Sequence, residues 1–139
     1  MAEDKVQFEL VSPERLLLSR EVDMVVVPGS EGDMGILPRH APAISTVRPG
    51  TLVIYEDGKV TDRIFIAGGF AEITGERCTV LAEQAMLVED IDRDEITREL
   101  GDLREDIAAA AGDSERAAAE AALAVAEAKL AALDNPIYS

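Results

Sequence analysis

The stretch PGSEGDMGILPRHAP, residues Pro28–Pro42, concentrates the turn-forming residues of the chain. It holds three of the ten glycines, three of the six prolines and the only histidine, His40. Glycine favours positive φ, and proline fixes φ and lacks an N–H donor, so a run this dense in both excludes a helix or a long strand. β-branched Val25–Val27 precede it and the largely apolar Ala43–Val47 follow it, which predicts a shaped loop between two strands. The apolar side chains that favour an ordered, packed loop are Met34, Ile36 and Leu37.

Length and charge exclude several classes of protein. A chain of 139 residues is long enough for one domain with a buried core, or for a small domain plus an appendage. The formal charge of −15 argues against nucleic acid, which needs clustered Lys and Arg, and against docking on anionic lipid. No run approaches the roughly 18 apolar residues of a membrane span, and Met1–Lys5 lacks the basic start of a secretion signal. We therefore expect a cytosolic protein, peripheral to something larger.

The texture of the sequence changes near residue 90. Residues 1–88 carry 8 basic and 14 acidic side chains in β-branched runs broken by Gly and Pro, whereas residues 89–139 carry 5 and 14 and consist mainly of Ala, Glu, Asp and Leu. The change predicts a β domain over residues 1–88 followed by a helical domain over residues 89–139.

The first domain has the pattern of a β-sandwich or flattened barrel. Val6, Phe8 and Leu10 alternate with mostly polar neighbours, as on a strand with one buried face. The predicted turns are Ser12-Pro13-Glu14, Arg48-Pro49-Gly50, Asp57-Gly58, Ala67-Gly68-Gly69 and Thr74-Gly75-Glu76-Arg77. They divide the domain into about nine or ten short strands, with Glu83–Val88 as the last strand or a linker. No helical stretch separates successive strands, which argues against a parallel sheet.

The second domain is predicted to be an antiparallel two-helix hairpin. Asp92, with Glu95 three residues later, is typical of a helix N-cap. Gly112 is predicted to stop the first helix in a left-handed conformation, and Asp113 or Ser114 to cap a second helix that Asn135-Pro136 ends. The helical stripes are Ile96, Leu100, Leu103 and Ile107 on the first helix, and Leu123, Ala126, Leu130 and Leu133 on the second. Because the second stripe is rich in Ala, each contact buries little area, and the hairpin needs the β domain or another protein to be stable.

Most catalytic and metal-binding patterns are absent from the sequence. A nucleophilic triad needs a base, and His40 is the only histidine. The glycines near residue 32 are not followed by the Lys of a phosphate loop, and no Cys or His cluster has zinc spacing. Cys78 precedes a strand-like run, so we interpret it as a buried hydrophobic residue. His40 has two interpretations that composition leaves open: a hydrogen bond within its own turn, or a contact at an interface.

Residues Gly29–Pro42 resemble the G-S-E-G-[ED]-[LM]-G-I-[LY]-P-x-H-A-P loop of the epsilon-subunit family of F-type ATP synthases. Four further stretches are similar in the same order: Phe8–Ser12, Arg48-Pro49-Gly50, Ala67–Ile73 and Cys78–Glu83. The resemblance covers residues 5 to about 110 and continues more loosely to the end. It implies a ten-stranded flattened β-barrel followed by a two-helix hairpin, in a bacterial rotor subunit without an active site, cofactor or metal, peripheral to the cytoplasmic side of the plasma membrane.

The resemblance also implies partners and contact residues. The β domain would hold the gamma subunit and rest on the polar loops of the c-ring, and the hairpin would reach the catalytic alpha and beta subunits. The residues that would meet the c-ring or gamma are Glu31, Gly32, Asp33, Met34, Gly35, His40, Ala41 and Pro42. Gly68, Gly69 and Phe70 would meet gamma. Glu31, Asp33 and His40 would face basic and polar ring loops, where opposite charges fix register more than they add affinity.

The hairpin departs from the family's nucleotide-binding pattern I/L-D-x-x-R-A. Ile91 and Asp92 are retained, but Glu95 replaces the Arg and Ile96 replaces the Ala. The second helix offers only Arg116 and Lys129 as cations, so the acidic hairpin would repel both a triphosphate and an acidic partner. We therefore expect weak or absent ATP binding and weak inhibition of hydrolysis.

Two other functions stay open on the sequence alone. The first is a free-standing β-sandwich module that binds a small ligand or a sugar, with the helical hairpin as an oligomerisation device. The chain has no Trp and two Tyr, which disfavours a sugar platform. The second is an ATP-binding regulator, which the missing arginine disfavours.

Overall fold

The computed structural model describes residues 4–134, which form eight β-strands and two α-helices. The strands are β1 (Val6–Val11), β2 (Leu16–Val22), β3 (Met24–Gly29), β4 (Gly32–Ile36), β5 (Ala43–Thr46), β6 (Gly50–Glu56), β7 (Lys59–Ile73) and β8 (Arg77–Leu87). One 3-10 turn at Val88–Asp90 leads into α1 (Arg93–Ala109) and α2 (Asp113–Asp134). No helix within residues 4–134 is both long and apolar enough to cross a membrane.

The strands form one sheet that folds over on itself into a sandwich. Their order is β2-β1-β8-β7-β6-β3-β4, with β5 paired to β7. Pairing is antiparallel except between β1 and β8, which are parallel. The sequence argued against parallel strands because no helix connects neighbours, but β1 and β8 are the first and last strands, and the whole domain serves as their crossover.

The fold class predicted from the sequence is confirmed, and the strand number of nine or ten is wrong. β7 runs for 15 residues through Ala67-Gly68-Gly69, where the sequence predicted a corner. β8 runs for 11 residues through Glu83, where it predicted a break. Pairing between β7 and β8 continues on both sides of these points, so the long strands bend without ending.

Gly68 and Gly69 produce the bend in β7, with φ of 75° and 98°. Before the bend, Ile64 and Ile66 face the sandwich core, whereas after it Ala71 and Ile73 do so. The side-chain alternation therefore changes from even to odd residues at the glycines, as β7 passes from one layer to the other. An ideal Cβ atom on Gly69 would collide with the carbonyl group of Leu81, so only glycine fits there.

The sandwich core is made of the alternating positions that the sequence indicated. In β1, Val6, Phe8 and Leu10 are buried, and Cys78 lies beside them in the same cluster. Burial raises the pKa of the Cys78 thiol to about 12, so this cysteine is not a nucleophile at neutral pH. The turn at Asp57-Gly58 has positive φ at both residues, as the hairpin prediction requires.

The first helix begins as predicted and ends differently. The Asp92 carboxylate accepts hydrogen bonds from the backbone N–H groups of Asp94 and Glu95, at 3.0 and 3.2 Å. Gly112 does not have positive φ, so the predicted left-handed stop is wrong. Its carbonyl accepts from Arg116 N at 3.0 Å, which makes Gly112 the N-cap of α2 in place of Asp113 or Ser114. The predicted stop at Asn135-Pro136 lies outside the described residues.

The helical hairpin is folded down on the sandwich. A second apolar cluster joins Phe65 and Ala67 of β7 to Ile96, Leu100 and Ala126 of the helices. Because Phe65 and Ala67 alternate with the core residues of β7, the first half of this strand is buried on both faces. We call this contact between β7 and the two helices the seam. Lys129 Nζ lies 5.8 Å from the centre of the Phe65 ring, which adds a cation–π contact to the seam.

The fit at Gly69 can be tested with Gly69→Ala. We expect a loss of more than about 2 kcal/mol in the free energy of unfolding, because both the positive φ and the contact with Leu81 oppose a side chain. Gly58→Ala is the matched control: φ is 73° but nothing lies within 4 Å of its Cβ position, so it should cost only about 1 kcal/mol. Urea unfolding measures both, and equal losses would contradict the assignment.

The docking of the hairpin can be tested with Ala126→Gln and Ala131→Gln. Both residues lie on α2, but Ala126 is 1% exposed whereas Ala131 is solvent-exposed. We expect Ala126→Gln to overpack the seam and so to lower the free energy of unfolding by about 1–3 kcal/mol. It should also lower the hydrogen-exchange protection of α1 and α2, while the sandwich core stays protected. Ala131→Gln should change neither. Unchanged protection in Ala126→Gln would show that the seam does not hold the hairpin.

Candidate functional site

The stretch Pro28–Pro42 forms a β-hairpin and a turn. β3 continues through Pro28 and Gly29, Ser30 and Glu31 form the tip, and β4 returns from Gly32 to Ile36. The prediction of a loop between two strands is therefore wrong for this part, because Gly29 lies buried at the end of β3, and Gly32 and Gly35 lie on β4, where alternation still buries Ile36. Gly32 has φ of 136°, which the hairpin needs.

Arg48 holds this hairpin from the next turn of the chain. Its Nη1 donates to the Gly29 carbonyl at 2.7 Å, and its Nη2 donates to Asp33 Oδ1 at 2.5 Å. Its backbone N–H donates to the Pro28 carbonyl at 2.9 Å. One residue thus bonds to both strands of the hairpin.

The two acidic residues of the hairpin have different surroundings. Asp33 lies on the exposed strand β4, but its carboxylate is paired with Arg48 and its side chain is 25% exposed. Glu31 lies exposed at the tip and makes no hydrogen bond or ion pair with any residue from 4 to 134. Met34 packs partly against the core, as predicted, whereas Gly32 and Gly35 are exposed. Glu31 is therefore the acidic group that the hairpin offers to solvent.

His40 lies in the turn that follows β4. Its ring Nδ1 is 2.7 Å from the Ala41 carbonyl oxygen, and its backbone N–H donates to the Leu37 carbonyl at 3.2 Å. His40 therefore bonds within its own turn. Arg39 has φ of 65°, and its backbone N–H donates to the Gly75 carbonyl at 2.8 Å. This bond connects the turn to the β7–β8 turn. Ala41 and Pro42 are exposed.

The predicted contact residues do not all lie together. Glu31 is at one end of β4 and His40 is beyond the other, so β4 separates them by roughly 15 Å at about 3.3 Å per residue. The Pro28–Pro42 stretch therefore presents two surfaces, an acidic tip beside Arg48 and a turn beside Gly75.

Phe70 lies in an apolar row on the outer face of the sandwich. Phe70 pairs directly with Leu81, Leu81 with Val11, and Val11 with Leu16, so all four side chains share one face. Phe70 is 42% exposed and Leu16 is 55% exposed. Ile44 of β5 is 71% exposed and pairs with Glu72, two residues from Phe70, so it lies on the same face. We call these five residues the apolar row. Gly68 and Gly69 adjoin it and form the bend of β7.

Sequence reasoning missed Arg48 and most of the apolar row, although signals for both were present. Arg39 and Arg48 are the only Lys or Arg residues between residues 21 and 58, so the acids of the β3–β4 hairpin had few possible ion-pair partners nearby in the sequence. Val11 is an apolar residue at the outward position of β1, after Gln7 and Glu9. A single apolar side chain on a polar strand face is common, and it becomes a signal of a contact surface only where the neighbouring strands add further apolar side chains.

The remnant of the nucleotide pattern has a structural role in the hairpin. Asp92 caps α1, and Ile91 is buried in the seam. Arg93 pairs with Asp134 at 2.5 Å, and this bond to the Asp134 carboxylate raises the pKa of Arg93. Within residues 4–134, no three His, Cys, Asp or Glu side chains are placed to hold a metal ion.

Comparison with known proteins assigns both halves of the sequence. Residues 5–88 match the family "ATP synthase, Delta/Epsilon chain, beta-sandwich domain", and residues 92–136 match the family of the C-terminal domain of the ATP synthase epsilon chain. The ATP synthase epsilon chain of Maricaulis maris is 55% identical over 81% of this protein and 84% of its own length. That of Rhodospirillum rubrum is 52% identical over 82% of this protein and 85% of its own length.

A solved structure is similar in fold. A subunit in the Euglena gracilis mitochondrial ATP synthase, OSCP/F1/c-ring, superposes with a TM-score of 0.82 at 26% identity, covering 94% of this protein and 82% of that subunit. The sequence matches span both the β-sandwich and the helical hairpin, and the identities exceed half over most of the sequence. The protein therefore belongs to the ATP synthase epsilon chain family.

Proposed function

We propose that this protein is a non-catalytic rotor subunit of the central stalk of a proton-translocating F-type ATP synthase, where it couples the c-ring to gamma. The observation that carries the proposal is the exposed acidic tip at Glu31, held by Arg48 on a folded β-hairpin. The subunit would lie at the cytoplasmic face of a bacterial plasma membrane, peripheral to it.

The acidic tip would contact the c-ring. Glu31 is exposed and the surrounding hairpin is fixed to the core through Arg48, so the charge is presented at a defined position. A fixed acid opposite a basic ring loop sets the register of the contact, which suits a joint that must resist sliding under torque. Gly32 and Gly35 leave the hairpin flat enough for close approach.

The apolar row would hold gamma. Five apolar side chains exposed or half-exposed on one sheet face are unusual for a free surface and typical of a protein contact. The row lies on the layer of β1, β8 and the second half of β7, whereas the helical hairpin covers Phe65 and Ala67 in the first half of β7. The helical hairpin therefore leaves the apolar row open to a partner.

The division at residues 88–89 would separate a structural from a regulatory domain. Residues 1–88 would make the gamma and ring contacts, and the hairpin of residues 89–139 would contact the alpha and beta subunits. Its Glu95 stands where the family's ATP-binding pattern has Arg, which supports weak or absent ATP sensing and inhibition. Membership of the epsilon chain family favours this function over a free-standing binding module.

The gamma contact can be tested by purifying the tagged protein from solubilised membranes. The unchanged protein should recover gamma and c subunits, and Phe70→Glu should lower the recovery of gamma at least tenfold by placing a charge in the apolar row. Phe70→Leu is the matched control and should retain recovery, because it keeps the position apolar. Failure of the unchanged protein to recover gamma and c would disprove the proposal.

The regulatory expectation can be tested by calorimetry with ATP and the full-length protein. We expect no binding of ATP at micromolar concentrations, because the helical hairpin is strongly acidic and has Glu95 in place of the arginine of the family's nucleotide-binding pattern. Micromolar binding would contradict the first part of the expectation. A large rise in ATP hydrolysis by the assembled enzyme after deletion of residues 90–139 would contradict the second part.

A further inference from the structure

We propose that Arg48 is a positioning residue that orients the β3–β4 hairpin so that Glu31 meets its partner, and that Asp33 anchors Arg48 instead of contacting the partner. The inference rests on the proposed function for the identity of that partner, a basic surface of the c-ring. It reassigns Asp33, which the family resemblance places at the ring together with Glu31.

The position of Arg48 is fixed by the core. Val47, the preceding residue, is 7% exposed and belongs to the sandwich cluster. The Val47 N–H donates to the Gly69 carbonyl at 3.2 Å, and Val47 also bridges to Gly29. Arg48 therefore starts from a rigid backbone at the bend of β7, next to the apolar row.

The Arg48 guanidinium group then links β3 to β4 by side-chain hydrogen bonds, in addition to the backbone pairing of the two strands. Nη1 bonds to the Gly29 carbonyl at the end of β3, and Nη2 bonds to the Asp33 carboxylate on β4. Glu31 lies between these two anchor points in the sequence, so the clamp fixes the direction of the tip. A planar guanidinium can donate to a carbonyl and a carboxylate at once, whereas a lysine ammonium is a single point charge on a flexible stem.

The same contacts separate the roles of the two acids. The charge of Asp33 is compensated by Arg48 at 2.5 Å. Arg39, the other cation of this region, pairs with Asp4 beyond the far end of β4. The uncompensated charge of the hairpin therefore resides on Glu31, and a partner that recognises charge would read that residue.

The test uses four variants of the full-length protein: Arg48→Lys, Asp33→Asn, Glu31→Gln, and the double variant that combines Arg48→Lys with Asp33→Asn. The first measurement is hydrogen exchange of the hairpin amides in the isolated protein. We expect exchange at least tenfold faster in Arg48→Lys, because lysine lacks the planar fork that reaches both partners, and in Asp33→Asn, because a neutral amide accepts a weaker hydrogen bond than a carboxylate. We expect no change in Glu31→Gln. Unchanged exchange in Arg48→Lys would overturn the inference.

The second measurement is binding to purified c-ring and gamma in lipid nanodiscs. We expect all three single variants to bind at least fivefold more weakly, and Asp33→Asn to add nothing in the Arg48→Lys background, because both act through one contact. If Asp33→Asn weakens binding without faster exchange, Asp33 is itself a recognition residue and the inference is wrong. If Glu31→Gln alone weakens binding, the ring contact stands and the role of Arg48 fails. If no variant weakens binding, both the ring contact and the inference fail.

Discussion

The close approach of the Gly69 backbone to the carbonyl group of Leu81 is the constraint on which the rest of the structure depends. A side chain at Gly69 would collide with that carbonyl, and the positive φ of Gly68 and Gly69 turns β7 from one layer of the sandwich to the other. Because β7 and β8 stay paired through the bend, the two layers are one continuous sheet. A sandwich of this kind has no independent halves that can slide past each other.

The bend also places the candidate contact surfaces. On one side, Phe70 follows the glycines into the apolar row. On the other, the Gly69 carbonyl accepts from Val47, and Arg48 then clamps the acidic hairpin. The proposed gamma and ring contacts therefore connect through a few hydrogen-bonded backbone residues, which suits the proposed transmission of torque.

Patterns of local origin were predictable from the sequence. The alternation in Val6–Val11, the Asp57-Gly58 hairpin and the Asp92 N-cap depend on residues within a few positions of each other, and the structure has all three. The helical stop at Gly112 was wrong, although it is also local, because Gly112 caps the following helix instead. Glycine permits positive φ but does not require it.

The sequence by itself determined the family, the β-then-helix order and the identity of the exposed acidic stretch, because motif, periodicity and turn chemistry are properties of short segments. The tertiary structure decided the strand number, the parallel pairing of β1 with β8 and the separation of Glu31 from His40 along β4. It also decided that Asp33 is compensated and Glu31 is not, since Arg48 is fifteen residues from Asp33 and reaches it only because the bend in β7 fixes Val47 beside Gly29. Contacts between residues so far apart in the sequence depend on how the layers pack, which no local pattern encodes.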